Sequence, residues 1–427
     1  MRILFLTPQF PYPPHKGTTL RNYHLIAGLA ARHEIDLLTF VESEDELRLP
    51  TPLSTFCRRM DGVVVPRRGL ARRLADTFFS RWPDMGLRLW SPAFARKLAA
   101  WLADADYDVV QVEGIELARY VLQAARSKRQ EAGSKKQETG NTQHATRNTQ
   151  YVFDDHNCEY LLQQRTCETD AKIPSRWAGA AYSFVQWRKL RAFESAICRA
   201  ADHVVAVSDA DAAALQRLVP GLTPTVVPNG IDVASYAPTP RTLPLHAGGA
   251  GGGPDLVFSG TMDFRPNVDA ALWFAQEALP LIRQEEPDAR FVIVGQKPHR
   301  RLDVLRDRAD VLLTGTVEDT RPYIAGAAIY VVPLRMGGGT RFKILEAAAT
   351  SRAIVSTSLG CEGFPVENGR ELVIADSPRR FADAVVALLR DPSRCVELGA
   401  AARAFAQAYD WKNIIPRMEA VYVTRDA

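Results

Sequence analysis

The sequence is poor in the residues that would build a metal centre or a disulfide-stabilised fold. Its six cysteines are scattered through 427 residues without a C-x-x-C pair, and its eight histidines include no H-E-x-x-H motif. Neither a zinc site nor a disulfide framework is therefore indicated. Scattered cysteines of this kind fit a reducing compartment, so we expect a cytoplasmic protein.

Two further absences narrow the class of protein. No apolar run approaches the roughly eighteen residues that a membrane-spanning helix needs, and a strand predicted at Arg2–Thr7 leaves no room for a signal peptide. We therefore expect a protein that is soluble or attached peripherally to a membrane. The net charge of +4 is too small to make a nucleic acid the expected partner.

What the sequence does contain is a repeated alternation of short apolar strands and helices, the pattern of an α/β fold with parallel sheets. The strands predicted in the first half are residues 2–7, 35–40, 109–113, 151–155 and 203–208. Those predicted in the second half are residues 256–260, 290–295, 311–314, 329–334, 353–357 and 372–375. Length and pattern together predict two doubly wound, Rossmann-like domains.

Composition predicts where the domains begin and end. We predict an N-terminal domain at residues 1–235, a linker rich in glycine and proline at 236–254, and a C-terminal domain at 255–410. Residues 411–427 are predicted to form a helix that packs back on the N-terminal domain. Residues 126–150 have almost no large apolar side chains, so they are predicted to be a disordered insertion.

The stretch from residue 329 to 356 is the strongest candidate for a ligand site. Its predicted strand leads into three glycines, 337–339, and Thr340 then offers a helix N-cap. Glycines allow close approach of a ligand to the backbone, and the first turn of a helix has free N–H groups that suit a phosphate. Arg341 and Lys343 add two positive charges beside that point.

Glu346 completes this candidate site. It lies seven residues after Gly339, so at about 3.6 residues per turn both fall on one face of the helix. A carboxylate there can accept hydrogen bonds from the hydroxyl groups of a sugar such as ribose. The pattern therefore indicates a nucleotide-diphosphate site, and the alternative is a glycine-rich surface loop with solvated basic side chains.

A second candidate follows the strand predicted at residues 151–155. His156, Asn157 and Glu159 come just past its carboxyl end, where parallel α/β sheets bind ligands. A single histidine can equally be structural. The proline-rich loop that ends at Gly17 follows the first strand and is expected at the same edge; it has no G-x-G-x-x-G, which disfavours a dehydrogenase.

Residues 57–102 are unusually basic and aromatic. Ten arginines and lysines are interleaved there with six phenylalanines and tryptophans. A helical segment of this composition can lie on an anionic membrane surface or receive a lipid-linked substrate. The alternative is a pair of ordinary helices with solvated arginines and a core-facing aromatic side.

Several motifs, taken in series, resemble one family. They are PNGID at 228–232, GTMDFRPNVDA at 260–270, VIVG at 292–295, TGTVED at 314–319, PLRMGGGTRFKILEAAA at 333–349 and IVSTSLGCEG at 354–363. In this order they resemble a family-4 retaining glycosyltransferase (glycosyl transferases group 1) of the bacterial surface-polysaccharide type. The resemblance covers nearly all of residues 1–411 and implies the GT-B fold, with two Rossmann-like domains facing each other across a cleft.

The resemblance also implies roles for individual residues. Glu346 matches the second acid of the family's paired-Glu motif, which binds the nucleotide ribose, whereas Gly338 stands where the first acid is expected. His156 matches a histidine that touches the donor sugar near the anomeric carbon. The implied donor-binding residues are Gly17, Gly260, Val317, Gly338, Gly339, Thr340 and Glu346. The implied catalytic residues are His156, Arg265, Arg341 and Lys343.

Two family features bear on those roles. Val317 lies where members hold the nucleotide base, chiefly by backbone. The basic pair that is usual after the first strand of the second domain is not matched, because Thr261 and Asn267 stand near those places. Arg265, Arg341 or Lys343 would therefore have to neutralise the diphosphate.

The function implied is transfer of a hexosyl group, with retention, from a nucleotide-diphosphate sugar to a glycan or lipid-linked acceptor. Exopolysaccharide, lipopolysaccharide or another surface glycan would be the product, and neither a metal nor another cofactor is expected. Two alternatives stay open: a sugar-nucleotide epimerase on the same scaffold, and a non-catalytic homologue that binds a glycan or a partner.

Overall fold

The computed structural model describes residues 1–14, 17–124, 149–236, 253–337 and 341–424. The chain forms two compact units. The N-terminal unit comprises Met1–Pro228 and Ile414–Ala427, and the C-terminal unit comprises Asn229–Asn413. Each unit is built on one parallel sheet, which confirms the predicted α/β class.

The sheet of the N-terminal unit has seven strands in the order β3-β2-β1-β4-β5-β6-β7. They are β1 (Arg2–Thr7), β2 (Glu34–Val41), β3 (Cys57–Val64), β4 (Val109–Glu113), β5 (Gln150–Asp155), β6 (His203–Ala206) and β7 (Thr225–Val226). The central strands β1, β4 and β5 are buried along almost their whole length, so apolar residues do not alternate with exposed polar ones, and the polar residues near the ends of β4 and β5 are buried as well.

Strand β3 was missed by the sequence analysis, which predicted only helical structure around it. Its sequence, CRRMDGVV, mixes charged and apolar residues, and only two of its eight residues are buried. An edge strand pairs on one side only and tolerates such a sequence. The basic segment 57–102 therefore begins as a strand and continues as three helices.

Helices cover this sheet. They are α1 (Gly17–Leu29), α2 (Leu53–Phe56), α3 (Leu70–Phe79), α4 (Asp84–Arg88), α5 (Pro92–Asp104), α6 (Glu159–Ala171), α7 (Trp177–Cys198) and α8 (Asp209–Leu218). Ser208 caps α8 by accepting a hydrogen bond from the backbone N–H of Asp211, as its Ser-x-x-Asp sequence predicts. Phe40 of β2 stacks on Phe94 of α5 in the core, with ring centroids 4.5 Å apart.

The sheet of the C-terminal unit has six strands in the order β10-β9-β8-β11-β12-β13. They are β8 (Asp255–Ser259), β9 (Arg290–Val294), β10 (Val311–Leu313), β11 (Ile329–Val332), β12 (Ile354–Ser356) and β13 (Val373–Ile374). Each strand lies where the sequence predicts one, within one or two residues at its ends.

The helices of this unit are α9 (Arg265–Trp273), α10 (Leu279–Glu285), α11 (Arg321–Gly326), α12 (Phe342–Ala349), α13 (Pro378–Arg390) and α14 (Pro392–Gln407). A π-helical stretch, Phe274–Ala278, joins α9 to α10. The final helix, α15 (Trp411–Val423), passes from this unit into the N-terminal one, because its residues from Ile414 onward belong to the latter.

Four sequence predictions need comment. Most of the predicted insertion (residues 126–148 of it) and of the predicted linker (residues 237–252 of it) lies outside the described residues, although Gln150 opens β5. Residues 229–235, which we assigned to the N-terminal domain, pack with the C-terminal unit. Among the described helices, none is long and apolar enough to cross a bilayer.

Candidate functional site

The turn that follows β8 in the C-terminal unit is built for close packing. Gly260 donates its backbone N–H to Val294 O at 2.9 Å, and a Cβ on Gly295 would lie 1.7 Å from Gly260 O. A Cβ on Gly260 itself would meet the Asn267 side-chain nitrogen at 2.7 Å and Lys343 Nζ at 3.3 Å. A side chain at position 260 would therefore collide with Asn267 and crowd Lys343, so this part of the predicted basic site requires a glycine.

Lys343 is held in place beside Gly260 by three contacts. Its Nζ donates hydrogen bonds to Ser259 O at 3.1 Å and to Asn267 Oδ1 at 2.8 Å. It also lies 4.3 Å from the centroid of the Phe258 ring, within the range of a cation–π contact. The resemblance to the family places a basic residue near position 267. The asparagine found there therefore holds Lys343 in position instead.

The charge on Lys343 is poorly compensated. Burial, with the positive charge of Arg341 added, lowers the pKa of Lys343 to about 7, and the carboxylate of Glu346 opposes this only in part. A lysine in this state gains full charge when an anion approaches. In the part of the chain that the structure describes, Lys343 Nζ bonds only neutral oxygens and forms no ion pair, so its surroundings favour a ligand that brings negative charge.

Arg341 precedes α12 as its N-cap residue, and only 6% of it is exposed. Its Nη1 lies 3.5 Å from where a Cβ of Gly337 would be. Gly338, Gly339 and Thr340 lie outside the described residues. The helix begins at Phe342 with Arg341 at the N-cap position, one residue later than the predicted cap at Thr340.

Glu346 lies on the first helical turn after Lys343. Its Oε1 accepts a hydrogen bond from Tyr236 Oη at 3.1 Å. Burial raises the pKa of Glu346, while Tyr236 and Lys343 lower it. Tyr236 was missed by the sequence analysis because it adjoins the predicted linker, and nothing in the local sequence links it to a residue 110 positions away.

The other two predicted residues of this unit lie on neighbouring elements. Arg265 is the first residue of α9, the helix that carries Asn267. The next residue, Pro266, would lie 3.1 Å from a Cβ on Gly337. Val317 follows β10 and packs, partly buried, against the core. The structure thus brings Gly260, Arg341, Lys343 and Glu346 together and places Arg265 beside them.

The candidate site of the N-terminal unit lies at the carboxyl ends of β4 and β5. These strands are adjacent and in a register that pairs Glu113 with Asp154. His156 follows two residues later, and its Nε2 lies 2.7 Å from Glu113 Oε2. The other carboxylate oxygen of Glu113 accepts from Gln111 Nε2 at 2.9 Å. Sequence analysis found the histidine but not this partner.

A second ion pair lies beside the first. Arg21 of α1 bonds Asp154 through Nε at 2.9 Å and Nη2 at 3.1 Å, and it donates to Pro228 O at 3.2 Å. Both side chains are almost completely buried. Burial raises the pKa of Asp154, and the Arg21 charge opposes that rise. The two buried acids therefore have Arg21 and His156 as their hydrogen-bond partners.

Glu113, Asp154 and His156 have ligand atoms within 4.8 Å of one another, a spacing compatible with a metal ion. The same atoms are already engaged, however. Arg21 lies on the Asp154 carboxylate at 2.8 Å, and the Nε2 of His156 is bonded directly to Glu113. A dication would have to compete with a fixed guanidinium, so we assign no metal to this cluster.

His156 lines a cavity of about 1050 Å³ within the N-terminal unit. Its walls combine apolar and charged side chains and include Thr18 and Thr19, which follow the predicted residue Gly17. Three arginines on the wall are each paired with carboxylates. The pairs are Arg68 with Asp76 and Asp84, Arg73 with Asp84, and Arg88 with Glu116.

A second carboxylate, that of Glu194, fixes the end of the loop that carries His156. Glu194 of α7 accepts hydrogen bonds from the backbone N–H groups of Glu159 and Tyr160, at 2.8 and 2.9 Å, and so caps α6. Burial and the charges of Glu116 and Glu194 raise the pKa of Glu159 to about 8. Residues 156–159 are therefore clamped between β4 and α7.

Comparison with known proteins identifies the family. The sequence profile of Glycosyltransferase Family 4 matches residues 16–235, more than half of the chain, and that of Glycosyl transferases group 1 matches residues 253–391. The chain belongs to glycosyltransferase family 4. The family predicted from the sequence motifs is thereby confirmed.

Characterised relatives of this family-4 glycosyltransferase include mycobacterial enzymes. A phosphatidyl-myo-inositol mannosyltransferase of Mycobacterium tuberculosis is 30% identical over 211 residues, which are 46% of this chain and 53% of the relative. An uncharacterised 44.6 kDa protein from the cps region of Klebsiella pneumoniae is 26% identical over 169 residues, 38% of this chain and 44% of that protein. The chain thus matches about half the length of these relatives.

Solved structures place the glycosyltransferase in the GT-B fold. HepE of Anabaena, crystallised with UDP and glucose, superposes over the whole of both chains with a TM-score of 0.66 and 15% identity. WaaG, a glycosyltransferase involved in lipopolysaccharide biosynthesis, also superposes over both whole chains, with a TM-score of 0.63 and 15% identity. At such low identity the likeness supports the fold alone, and the predicted GT-B fold is confirmed.

Proposed function

We propose that this glycosyltransferase moves a hexosyl group, with retention of configuration, from a nucleotide-diphosphate sugar to a glycan or lipid-linked acceptor in surface-polysaccharide synthesis. The observation that carries the donor class is the buried Lys343 of the C-terminal unit, whose Nζ bonds only neutral oxygens among the described residues. Lys343 and Arg341 are held at the start of α12, and burial lowers the pKa of Lys343. A diphosphate supplies the negative charge that Lys343 lacks.

Glu346 fits the ribose of the same donor. It lies one turn beyond Lys343 on α12, and Tyr236 orients its carboxylate by a hydrogen bond. A fixed carboxylate next to a phosphate site suits a vicinal diol. Relatives support a sugar nucleotide of this kind, since HepE was crystallised with UDP-glucose and a second mycobacterial relative is a GDP-mannose-dependent mannosyltransferase.

The chemistry proposed needs no metal. Departure of the nucleotide diphosphate places negative charge on its leaving oxygen. Arg341, Lys343 and the N–H groups of the first turn of α12 would stabilise that charge directly. Arg265, which opens the neighbouring helix α9, would be a further cation at the diphosphate.

The test is a binding and transfer assay with defined donors. The thermal midpoint of the full-length protein is measured with UDP, GDP, ADP and dTDP and with their sugar derivatives, beside NAD. One nucleotide family should raise it, because a ligand at one hundred times its Kd stabilises by about 2.7 kcal/mol. The anomeric configuration of the product, read by NMR, then tests retention.

The other outcomes of that assay are distinct. Conversion of a nucleotide sugar without any acceptor would indicate an epimerase. No shift with any nucleotide, from protein that unfolds cooperatively, would indicate a non-catalytic homologue. Either result would overturn the proposed transfer.

We also propose that the N-terminal unit contacts an anionic membrane, which would give access to a lipid-linked acceptor. Four large apolar side chains of α3 are exposed, and Phe78 and Phe79 are 74% and 90% exposed. Arg72 and Arg73 lie on the same helix, with Arg81 just beyond it. Exposed apolar and basic side chains together suit the headgroup region of an anionic bilayer.

Sedimentation with vesicles tests this contact. The protein should bind phosphatidylglycerol-containing vesicles more than phosphatidylcholine ones, and Phe78→Ser with Phe79→Ser should remove most of the binding. Val396→Ser is the matched control, because Val396 is an exposed apolar residue of α14 in the other unit. Equal binding by the α3 variant and the wild type would exclude the proposed surface.

A further inference from the structure

The two ring nitrogens of His156, in the N-terminal cavity, differ in their hydrogen bonding. Nε2 of His156 is bonded to Glu113, 2.7 Å away. Among the described residues, none forms a hydrogen bond with Nδ1. That nitrogen lies on the side of Gly114, since a Cβ on Gly114 would be 3.8 Å from it. Both His156 and Gly114 line the cavity.

The hydrogen bonds around Glu113 fix where the proton lies. Both of its oxygens act as acceptors, one from Gln111 Nε2 and one from His156 Nε2. A carboxylate can only accept, so Nε2 carries hydrogen. Glu113 is completely buried, and an isolated buried charge is costly, so it needs a positive partner within reach.

The charge balance of the cluster supplies that partner. Arg21 is committed to Asp154, with both side chains buried. Only His156 remains to balance Glu113 in the described surroundings. Two further ionisable groups face this cluster. Glu116 lies beside Gly114 and is paired with Arg88. Tyr422 of α15 also faces it, and the pKa of its hydroxyl is raised by burial and by the charges of Glu113 and Asp154. A neutral tyrosine cannot provide the missing charge.

We propose that Glu113 is a positioning residue that holds His156 as an imidazolium, so that Nδ1–H is presented to the cavity as a hydrogen-bond donor. The inference rests on the proposed transferase function and names the protonation state in which His156 would work. Its natural acceptor is an oxygen of the bound sugar. A general-base role is excluded for this nitrogen, because it already carries a proton.

Electrostatics agree with this geometry. Burial opposes protonation of His156, but the hydrogen bond and charge of Glu113 and the charge of Asp154 outweigh it, so the pKa of the imidazole is raised. The imidazolium therefore persists to a higher pH than in an ordinary histidine and is lost as the pH rises through the raised pKa. Replacing Glu113 with glutamine keeps an acceptor for Nε2–H but removes the charge, so the pKa should fall.

Two readouts on the full chain test the proposal. NMR of ¹³C-labelled histidine, with His156→Gln to assign the signal, should show His156 titrating above the ordinary value of about 6.5. In Glu113→Gln the titration should move down by about one to two pH units. The decline of kcat at saturating donor, measured against pH, should move down by the same amount.

A matched control exists in the same unit. His33 Nε2 lies 2.7 Å from Glu419 Oε1, a contact of the same length and type outside the cavity. Glu419→Gln should leave the His156 titration and the kcat profile as in the wild type. An ordinary or unmoved titration of His156 in Glu113→Gln would overturn the proposal, and so would a shifted titration with an unshifted kcat profile.

The two proposals fail in different ways. If the wild-type protein binds no nucleotide and transfers no sugar, the proposed function fails, while the NMR titration still reports whether Glu113 holds the imidazolium. If transfer is observed and the titration is ordinary, only the positioning role fails.

Discussion

The two units each hold a small group of buried charges, and the groups differ in their balance. In the N-terminal unit, two acids are matched by Arg21 and His156 at hydrogen-bond distance. In the C-terminal unit, Lys343 bonds only neutral oxygens among the described residues, and burial together with the nearby charge of Arg341 lowers its pKa. Balanced charges can remain buried without a ligand, whereas unbalanced ones favour a ligand of opposite sign.

This difference predicts what each group does when it is changed. Loss of one member of the balanced group should cost stability, because its partner is left buried and charged. Loss of a cation from the unbalanced group should cost ligand binding and little stability, because the cation was already held in an unfavourable state.

Replacing Arg21 should have the largest effect. Arg21→Met leaves Asp154 buried without its guanidinium, and breaking such a pair costs about 3–5 kcal/mol of the free energy of unfolding. The loss should shrink at acid pH. Burial already raises the pKa of Asp154, so without Arg21 the carboxyl takes up a proton on folding, and stability falls as the pH rises through that window.

Urea unfolding across a range of pH measures this effect. The control is Arg290→Met, which removes an Arg–Asp pair of the same bidentate geometry, to Asp255, at a site where the arginine is 27% rather than 1% exposed. Its cost should be clearly smaller. Equal costs for the two variants would show that burial of the Arg21 pair does not matter.

Replacing Lys343 should weaken binding rather than the fold. Lys343→Met keeps the length of the side chain but removes its charge, so affinity for the nucleotide sugar should fall by about 100-fold or more. Isothermal titration calorimetry measures this loss, and thermal unfolding should show a midpoint close to that of the wild type. Lys412→Met, at an exposed lysine of the same unit, is the control. Unchanged affinity in Lys343→Met would show that the lysine is not part of the donor site.

The lowered pKa of Lys343 predicts a dependence on pH in the unmodified protein. Below about pH 7 the amine is charged and ready for the diphosphate. Above it the amine is neutral and must take up a proton on binding, so affinity should fall by up to about tenfold, or 1.4 kcal/mol, for each pH unit. Titrations near pH 8 in two buffers of different ionisation enthalpy should show net proton uptake. Lys343→Met should show none, and uptake that persists there would assign the proton to another group.

The sequence predicted most of the secondary structure of the C-terminal unit because its strands are continuous apolar runs. It also predicted Arg341, Lys343 and Glu346 together, since Lys343 and Glu346 lie on one short helix whose periodicity fixes their spacing, and Arg341 is its N-cap. By contrast, β3 was missed because its sequence is that of a half-exposed edge strand.

The partners that complete each site could not be read from sequence. Glu113 bonds a residue 43 positions away, and Arg21 bonds one 133 positions away. Such contacts depend on strand order and register, which local patterns do not determine. One signal was present: Glu113 ends a buried strand, as Asp155 does, and polar residues at neighbouring strand ends meet at the same edge.

Replacing Tyr236 should have the smallest effect, and it tests whether the Glu346 carboxylate binds the ribose. Tyr236→Phe removes one hydrogen bond to the Glu346 carboxylate, worth about 0.5–1.5 kcal/mol, so the KM for the donor should rise by roughly two- to tenfold. The pKa of Glu346, already raised by burial, should rise further because Tyr236 no longer lowers it. Hydrogen bonding to the ribose should then be lost at a higher pH than in the wild type.

A donor without the ribose hydroxyl groups makes this prediction specific. If Glu346 accepts hydrogen bonds from the ribose, the wild type and Tyr236→Phe should bind a 2′,3′-dideoxynucleotide sugar equally well, although they differ with the natural donor. A difference that persists with the dideoxy donor would mean that Tyr236 acts on the fold of this region rather than through Glu346. In that case Lys343 and Arg341 alone would remain as residues for the diphosphate, and the ribose would have to be recognised elsewhere.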